Sequence, residues 1–255
     1  MCLIFFAYDY HPNYHLILAS NRDEFYSRPS EPVKFWDSHP WILAGQDLLM
    51  MGTWLGITKS GRFAALTNYR DPALQIENDE SRGGLVLDFL NSAQSPEEYL
   101  RKVAEKRERY NPFNLLVGNE GHLYYFSKIT AEISRLEPGI YGLSNHFLDT
   151  PWPKVEKSKR ALADYISRQD WVEPDPIFEM LADPATALDQ ELPNTGVGLV
   201  WERLLSAVFV QGNNYGTKSS AVLLIDRNNQ VFFQEKTFSY GGKKVTEVVE
   251  RFELV

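Results

Sequence analysis

A chain of 255 residues, 44% hydrophobic and 13% aromatic, has enough apolar side chains for a sizeable core and the composition of a packed globular protein, not a disordered or fibrous one. Its formal charge of −8 gives no electrostatic footing for nonspecific contact with nucleic-acid phosphates. One cysteine makes no internal disulfide, and the first apolar run has no basic segment before it and is far short of a membrane span, so a cytoplasmic protein without membrane insertion is expected.

Residues 2–8 and 14–20 are apolar runs joined by Asp9-Tyr10-His11-Pro12-Asn13, which predicts a hairpin with both strands buried on both faces. Residues 25–41 hold Pro29, Pro32 and Pro40 among five aromatics and read as an ordered loop forming a pocket wall. Residues 52–58 and 62–68 flank Lys59-Ser60-Gly61, a tight-turn signal between paired strands. Two helices follow. Ser81-Arg82-Gly83-Gly84 introduces the first, and the second has Ser95 as N-cap, Pro96 at its first position and Glu97 and Glu98 in its first turn. The basic residues between Arg101 and Arg109 are interrupted by Glu105 and Glu108 and read as a solvated helix face.

A second hairpin is predicted over 113–119 and 122–127, with further strands at 132–135 and 139–143. Helical spacing returns at 154–167 and 176–181, and residues 183–217 carry no clear pattern. Strands at 219–226 and 230–236 flank Arg227-Asn228-Asn229, and the closing run 245–255 fits helix or strand, with strand preferred. Helices grouped between blocks of hairpins predict an α+β fold of antiparallel sheets covered by helices. No composition break marks a boundary, so residues 1–255 are expected to form a single domain. Neither GxGxxG nor GxxxxGK[ST] occurs, which argues against nucleotide chemistry.

Two clusters carry candidate chemistry. If Met1 is removed, Cys2 bears both a thiol and a free α-amine, a nucleophile and its base on one residue; with Met1 retained, the same nitrogen is an amide and cannot act as a base. The simpler reading is a small apolar residue in a buried strand. Asn21-Arg22-Asp23-Glu24 is the densest polar cluster at a strand end. On an extended chain Ser20 and Arg22 face one way and Asn21 and Asp23 the other. A capped turn with a surface ion pair is the simpler reading here, and the position one hairpin away from Cys2 favours the functional one. His11, His15, His39, His122 and His146 show no metal-ligand spacing, and neither a metal nor a cofactor is expected. His146 follows Asn145 and is placed to line the same pocket. Trp36, Trp41, Trp54 and Trp152 fit either a pocket wall or aromatic core.

Several stretches in order carry a family resemblance: Met1-Cys2 with its strand, Asn21-Arg22-Asp23-Glu24-Phe25-Tyr26-Ser27-Arg28-Pro29, Gly52-Thr53-Trp54-Leu55-Gly56, Leu66-Thr67-Asn68-Tyr69, Tyr110-Asn111-Pro112-Phe113-Asn114-Leu115, Tyr141-Gly142-Leu143-Ser144-Asn145 with Thr150-Pro151-Trp152, and Tyr215-Gly216-Thr217. In these the chain resembles the NRDE-motif family, also called the transport and Golgi organisation protein 2 family, placed among the N-terminal nucleophile hydrolases. That resemblance implies a four-layer αββα sandwich of antiparallel sheets. It also implies a distant likeness to the choloylglycine hydrolase and penicillin V acylase group, where an N-terminal cysteine attacks a non-peptide amide.

Carried over by position, Cys2 matches the nucleophile, Asp23 the aspartate of an Arg-Asn-x-Asp segment, and Asn68 and Asn145 two asparagines that hold the oxyanion. Each pairing has a physical reason, since a carboxylate can orient an amine and side-chain amides can stabilise a developing oxyanion. The segment's arginine falls on Ser20, although Arg22 shares that strand face. A late arginine of those hydrolases has Lys218 as the nearest basic counterpart. The implied function is a cysteine amidohydrolase on a small-molecule substrate. The alternative on the same fold is a binding or trafficking protein for a hydrophobic ligand such as haem or acyl-coenzyme A.

Overall fold

A computed structural model describes residues 2–76, 80–119 and 121–255, with the side chain of Cys2 outside the description. The fold is of the expected α+β class, with two antiparallel sheets and helices packed on them. Its contacts divide the chain into two compact units, one built from Met1–Ser27 and Glu137–Phe252, the other from Arg28–Leu136 and Glu253–Val255.

In the first unit β1 (Cys2–Tyr8) and β2 (Tyr14–Phe25) form the expected hairpin, and β2 runs on through the whole Asn-Arg-Asp-Glu cluster. Leu3 to Tyr8 and Leu16 to Asp23 are all buried, which is why neither stretch alternates between apolar and polar residues. β2 lies at the middle of the sheet β10-β1-β2-β11-β12-β13, made with β10 (Gly139–Leu143), β11 (Tyr215–Asp226), β12 (Gln230–Ser239) and β13 (Lys243–Glu253). The closing run is therefore strand. Its alternating exposure suits an edge, and Lys244, Glu247, Glu250 and Arg251 give that edge charges that discourage pairing with another chain.

One sheet face is covered by α3 (Pro153–Ile166) and α4 (Pro174–Leu181). Leu3, Phe5, Ala7, Ile17, Ala19, Val222 and Leu224 meet Val155, Leu162, Ile166, Ile177, Phe178 and Leu181 there, and Trp152 belongs to this core. Gly142, opposite Phe5, has no side chain to hold the helix away. A Cβ there would stand 2.6 Å from Val155 Cγ1. The patternless stretch contains the short α5 (Leu199–Leu205) among turns.

The second unit is a seven-stranded sheet in chain order: β3 (Ser30–Trp36), β4 (His39–Asp47), β5 (Leu55–Thr58), β6 (Phe63–Asn68), β7 (Phe113–Asn119), β8 (His122–Ser127) and β9 (Ile133–Arg135). Helices α1 (Arg82–Asn91) and α2 (Pro96–Lys106) come between β6 and β7 and pack on it through Val86, Phe89, Leu100 and Val103. α2 starts as read, with Ser95 and Glu98 closing a reciprocal capping box. The stretch 25–41 departs from its loop reading. It supplies the end of β2, all of β3 and the start of β4, and Pro32 is tolerated because β3 is an edge strand with no ladder bond to lose on its open side. Trp36 is core, its Nε1 donating to Ala44 O at 2.9 Å.

Gly52 sets the entry to β5 against the start of α1: a Cβ on it would lie 2.5 Å from the Gly83 carbonyl carbon, and Thr53 N donates to Gly83 O at 3.2 Å. Gly52→Ala is expected to lower the unfolding free energy by about 1–3 kcal/mol through overpacking, read from chemical denaturation. An unchanged midpoint would mean that this approach tolerates a methyl group.

Candidate functional site

The hairpin register puts Cys2 directly across from Arg22, and β10 pairs with the other edge of β1 with Ile4 opposite Leu143. Paired residues in that second ladder sum to 147, so the same register carried two residues on would set Asn145 level with Cys2. Cys2 is described as strand backbone, and its thiol lies outside the described residues. Asn145 is fully buried just beyond β10, where its Oδ1 accepts from Ser144 Oγ at 3.4 Å. Asn68 closes β6 in the second unit, half-buried and opposite Phe113. Cys2, Arg22, Asp23 and Asn145 thus share the first unit, and Asn68 belongs to the second.

Each residue of the Asn-Arg-Asp-Glu cluster has its own surroundings. Asn21 ties the sheet to its covering layer. Its Nδ2 donates to Leu181 O and Val208 O, both at 2.8 Å, and its Oδ1 accepts from Ser220 Oγ at 2.6 Å. Arg22 is buried on the opposite face by strand alternation, level with Cys2 on one side and Ser219 on the other. Asp23 is 1% exposed and returns to the helix-covered face. Glu24, at the margin, accepts from Phe25 N at 2.8 Å.

Asp23 is held from β11 by the Tyr215-Gly216-Thr217 motif. Tyr215 Oη donates to the Asp23 main-chain oxygen at 2.9 Å, and Thr217 Oγ1 donates to Asp23 Oδ1 at 2.7 Å. The Thr217 oxygen also accepts from Val210 N at 2.9 Å. Since a backbone N–H can only donate, the single hydroxyl hydrogen is directed at Asp23, whose Oδ1 is therefore an acceptor. Between them, Gly216 leaves room for Tyr26: a Cβ there would collide with the Tyr26 hydroxyl and approach Val210 O to 2.6 Å. Burial and the Asp23 charge push the Tyr26 phenol up. Burial pushes the Asp23 carboxyl above the usual carboxylate range as well, opposed mainly by the Lys154 ammonium, then by the chain's N-terminal amine and the Thr217 hydrogen bond.

Lys154 is the residue that sequence reading missed, while Thr217 stands in a matching stretch without a role assigned to it there. Lys154 sits in the first turn of α3 among the buried positions Val155, Ser158, Leu162 and Ile166, and is 3% exposed. A charge on the apolar stripe of a helix was the available signal. Lys218 is the extra residue of a β-bulge, because Thr217 pairs with Asp23 and Ser219 with Arg22; its Nζ donates to Tyr26 O at 3.4 Å. His146 is engaged locally. Thr150 Oγ1 donates to Phe147 O, which leaves its oxygen to accept from His146 Nδ1 at 2.9 Å, and the ring lies against Phe147 and Trp152. Among the described residues no group of three or more His, Cys, Asp or Glu is arranged to hold a metal ion, and no helix is long and apolar enough to cross a membrane.

These features define an α+β protein whose first strand starts at Cys2 and runs beside a buried, cation-balanced aspartate. Residues 1–240 match the family model described as Transport and Golgi organisation 2. The chain is 37% identical over 257 residues to the Transport and Golgi organization protein 2 homologs of Homo sapiens and Bos taurus, covering 93% of either chain, and 26% identical over 285 residues to the Drosophila melanogaster protein, covering 99% of both. The chain belongs to the Transport and Golgi organisation 2 family. Among solved structures it is similar to a Caenorhabditis elegans N-acylethanolamine-hydrolyzing acid amidase ortholog (TM-score 0.44, 12% identity, 88% of this chain and 92% of that one). It is similar also to a conjugated bile acid hydrolase mutant from Clostridium perfringens (TM-score 0.44, 9% identity, 99% and 84%).

Two outcomes test this geometry. Thr217→Val keeps the shape but removes the donor to Asp23 and the acceptor of Val210 N. It is expected to cost about 1–3 kcal/mol in denaturant unfolding, with Thr217→Ser retaining most of that stability. For pH, a folded-state Asp23 value above the unfolded one adds stability that is full below the usual carboxylate range and lost as pH rises through the folded value. Asp23→Asn cannot ionise, so its melting temperature relative to wild type is expected to rise with pH above that range. A difference independent of pH would mean that Asp23 does not titrate there.

Proposed function

We propose that this chain is a cysteine N-terminal nucleophile hydrolase of a non-peptide amide in a small-molecule substrate, acting in the cytoplasm as a single domain over residues 1–255. What carries the reading is the buried Asp23, braced by Thr217 and balanced by Lys154, one residue along β2 from the position facing Cys2. Once Met1 is removed, the Cys2 α-amine takes the thiol proton and the thiolate attacks the amide carbonyl carbon. Asp23 steadies the resulting ammonium. Asn68 and Asn145 stabilise the tetrahedral oxyanion, and Arg22 adds positive charge on the face where it lies. Collapse breaks the C–N bond, the ammonium proton goes to the departing amine, and water then cleaves the thioester to a carboxylic acid. No cofactor enters the balance.

One observation favours a second reading. Ser20, buried opposite Ile4 and Ala221, supplies no guanidinium where the hydrolase resemblance expects one. A binding protein for a hydrophobic ligand such as haem or acyl-coenzyme A needs none.

Mass spectrometry of the protein from its native host is expected to find Met1 removed, and an amide-mimicking acyl electrophile to add covalently at Cys2. Asp23→Asn is expected to slow that capture roughly 100-fold, the lower end of a proton-transfer contribution. Uniform retention of Met1 removes the base and overturns the hydrolase. Saturable binding of haem or acyl-coenzyme A without covalent capture would select the second reading.

A further inference from the structure

A lysine in the first turn of a helix meets the positive end of the peptide dipoles, where anions are favoured. In α3 the placement is more demanding, because Lys154 is withdrawn from water as well. A buried ammonium needs an anion close by. The start of α3 lies over the β10–β1 side of the sheet, where Gly142 admits Val155 and Lys159 to close approach. Asp23 occupies the same helix-covered face, and among the cations acting on its carboxyl Lys154 is the strongest.

We propose that Lys154 is the positioning residue of the site, the buried counter-charge that holds Asp23 as a carboxylate turned toward the N-terminal residue of the mature chain. This rests on reading Cys2 as the nucleophile. Burial by itself favours the protonated acid, and a neutral acid cannot steady an ammonium group. Lys154 shifts that balance toward the charged form. The groups acting on Asp23 are Lys154 from α3, Thr217 and Tyr215 from β11, Glu24 and Tyr26 in and just beyond β2, and the N-terminal α-amine, which belongs to Cys2 once Met1 is removed.

The test combines Lys154→Met, Lys154→Arg, Asp23→Asn and the Asp23→Asn/Lys154→Met double variant. In Lys154→Met the melting temperature is expected to fall more steeply than in wild type as pH rises from about 5 to 9, because the Asp23 value moves further above its unfolded one. The double variant is expected to lose that excess slope. Should Lys154→Met not fold, recovery of a folded protein in the double variant reports the same pairing. Equal slopes in Lys154→Met and wild type overturn the pair.

The second readout is the pH profile of Cys2 alkylation by iodoacetamide in the mature protein. Its acidic limb is expected to move up by about one unit in Lys154→Met and to return in Lys154→Arg. An unmoved limb overturns the positioning role. A wild-type Cys2 that does not react at all counts against the nucleophile reading, and the melting-temperature comparison still decides whether Lys154 and Asp23 are paired.

Discussion

The pairing of β2 with β11 is the constraint on which the candidate site depends. Each strand is 12 residues long, and their ladder joins residues near the start of the chain to residues 190 to 212 positions further on, from Phe25–Tyr215 to Tyr14–Asp226. It fixes which β11 residue each member of the Asn-Arg-Asp-Glu cluster meets: Ser220 for Asn21, Ser219 for Arg22 and Thr217 for Asp23. The bulge at Lys218 lets Thr217 and Ser219 serve adjacent residues whose side chains point to opposite faces. With regular pairing, one of the two would have the wrong orientation.

Around that ladder the polar groups divide into a structural set and an electrostatic one. Asn21 uses its amide on two main-chain oxygens of the covering layer and on Ser220, and so fixes where that layer lies on the sheet. Asp23 is constrained differently. Its main chain and one carboxylate oxygen are held from β11, while its charge is set by burial working against Lys154. Such a balance responds to small changes in its surroundings, whereas the saturated bonding of Asn21 does not.

The elements legible in the sequence were those with a local cause. The buried hairpin followed from two continuous apolar runs, and α2 from its Ser-Pro-Glu-Glu start. The prolines of 25–41 point to a loop, although an edge strand accommodates one. Residues 183–217 were opaque for the opposite reason. Their path is set by distant side chains, Asn21 on the Val208 oxygen and Asp183 through its main-chain oxygen to Phe209 N, and no periodicity records that. Among the candidate site residues, Cys2, Asp23 and Asn145 are suggested by family likeness together with strand position. Lys154 escapes a helical pattern that counts apolar residues, because a lone cation on the buried stripe registers only as noise in the repeat.

The discontinuous first unit has a consequence for synthesis on the ribosome. The β1–β2 hairpin emerges first, yet the partner of β1's free edge is β10 and that of β2's is β11, each made long afterwards. For most of translation the nascent hairpin therefore has two unpaired edges and apolar side chains on both faces, features that promote association with other chains. Slow elongation through residues 28–136, which separate the two segments of the first unit, would lengthen that exposure and make yield sensitive to translation speed even where the finished protein is stable.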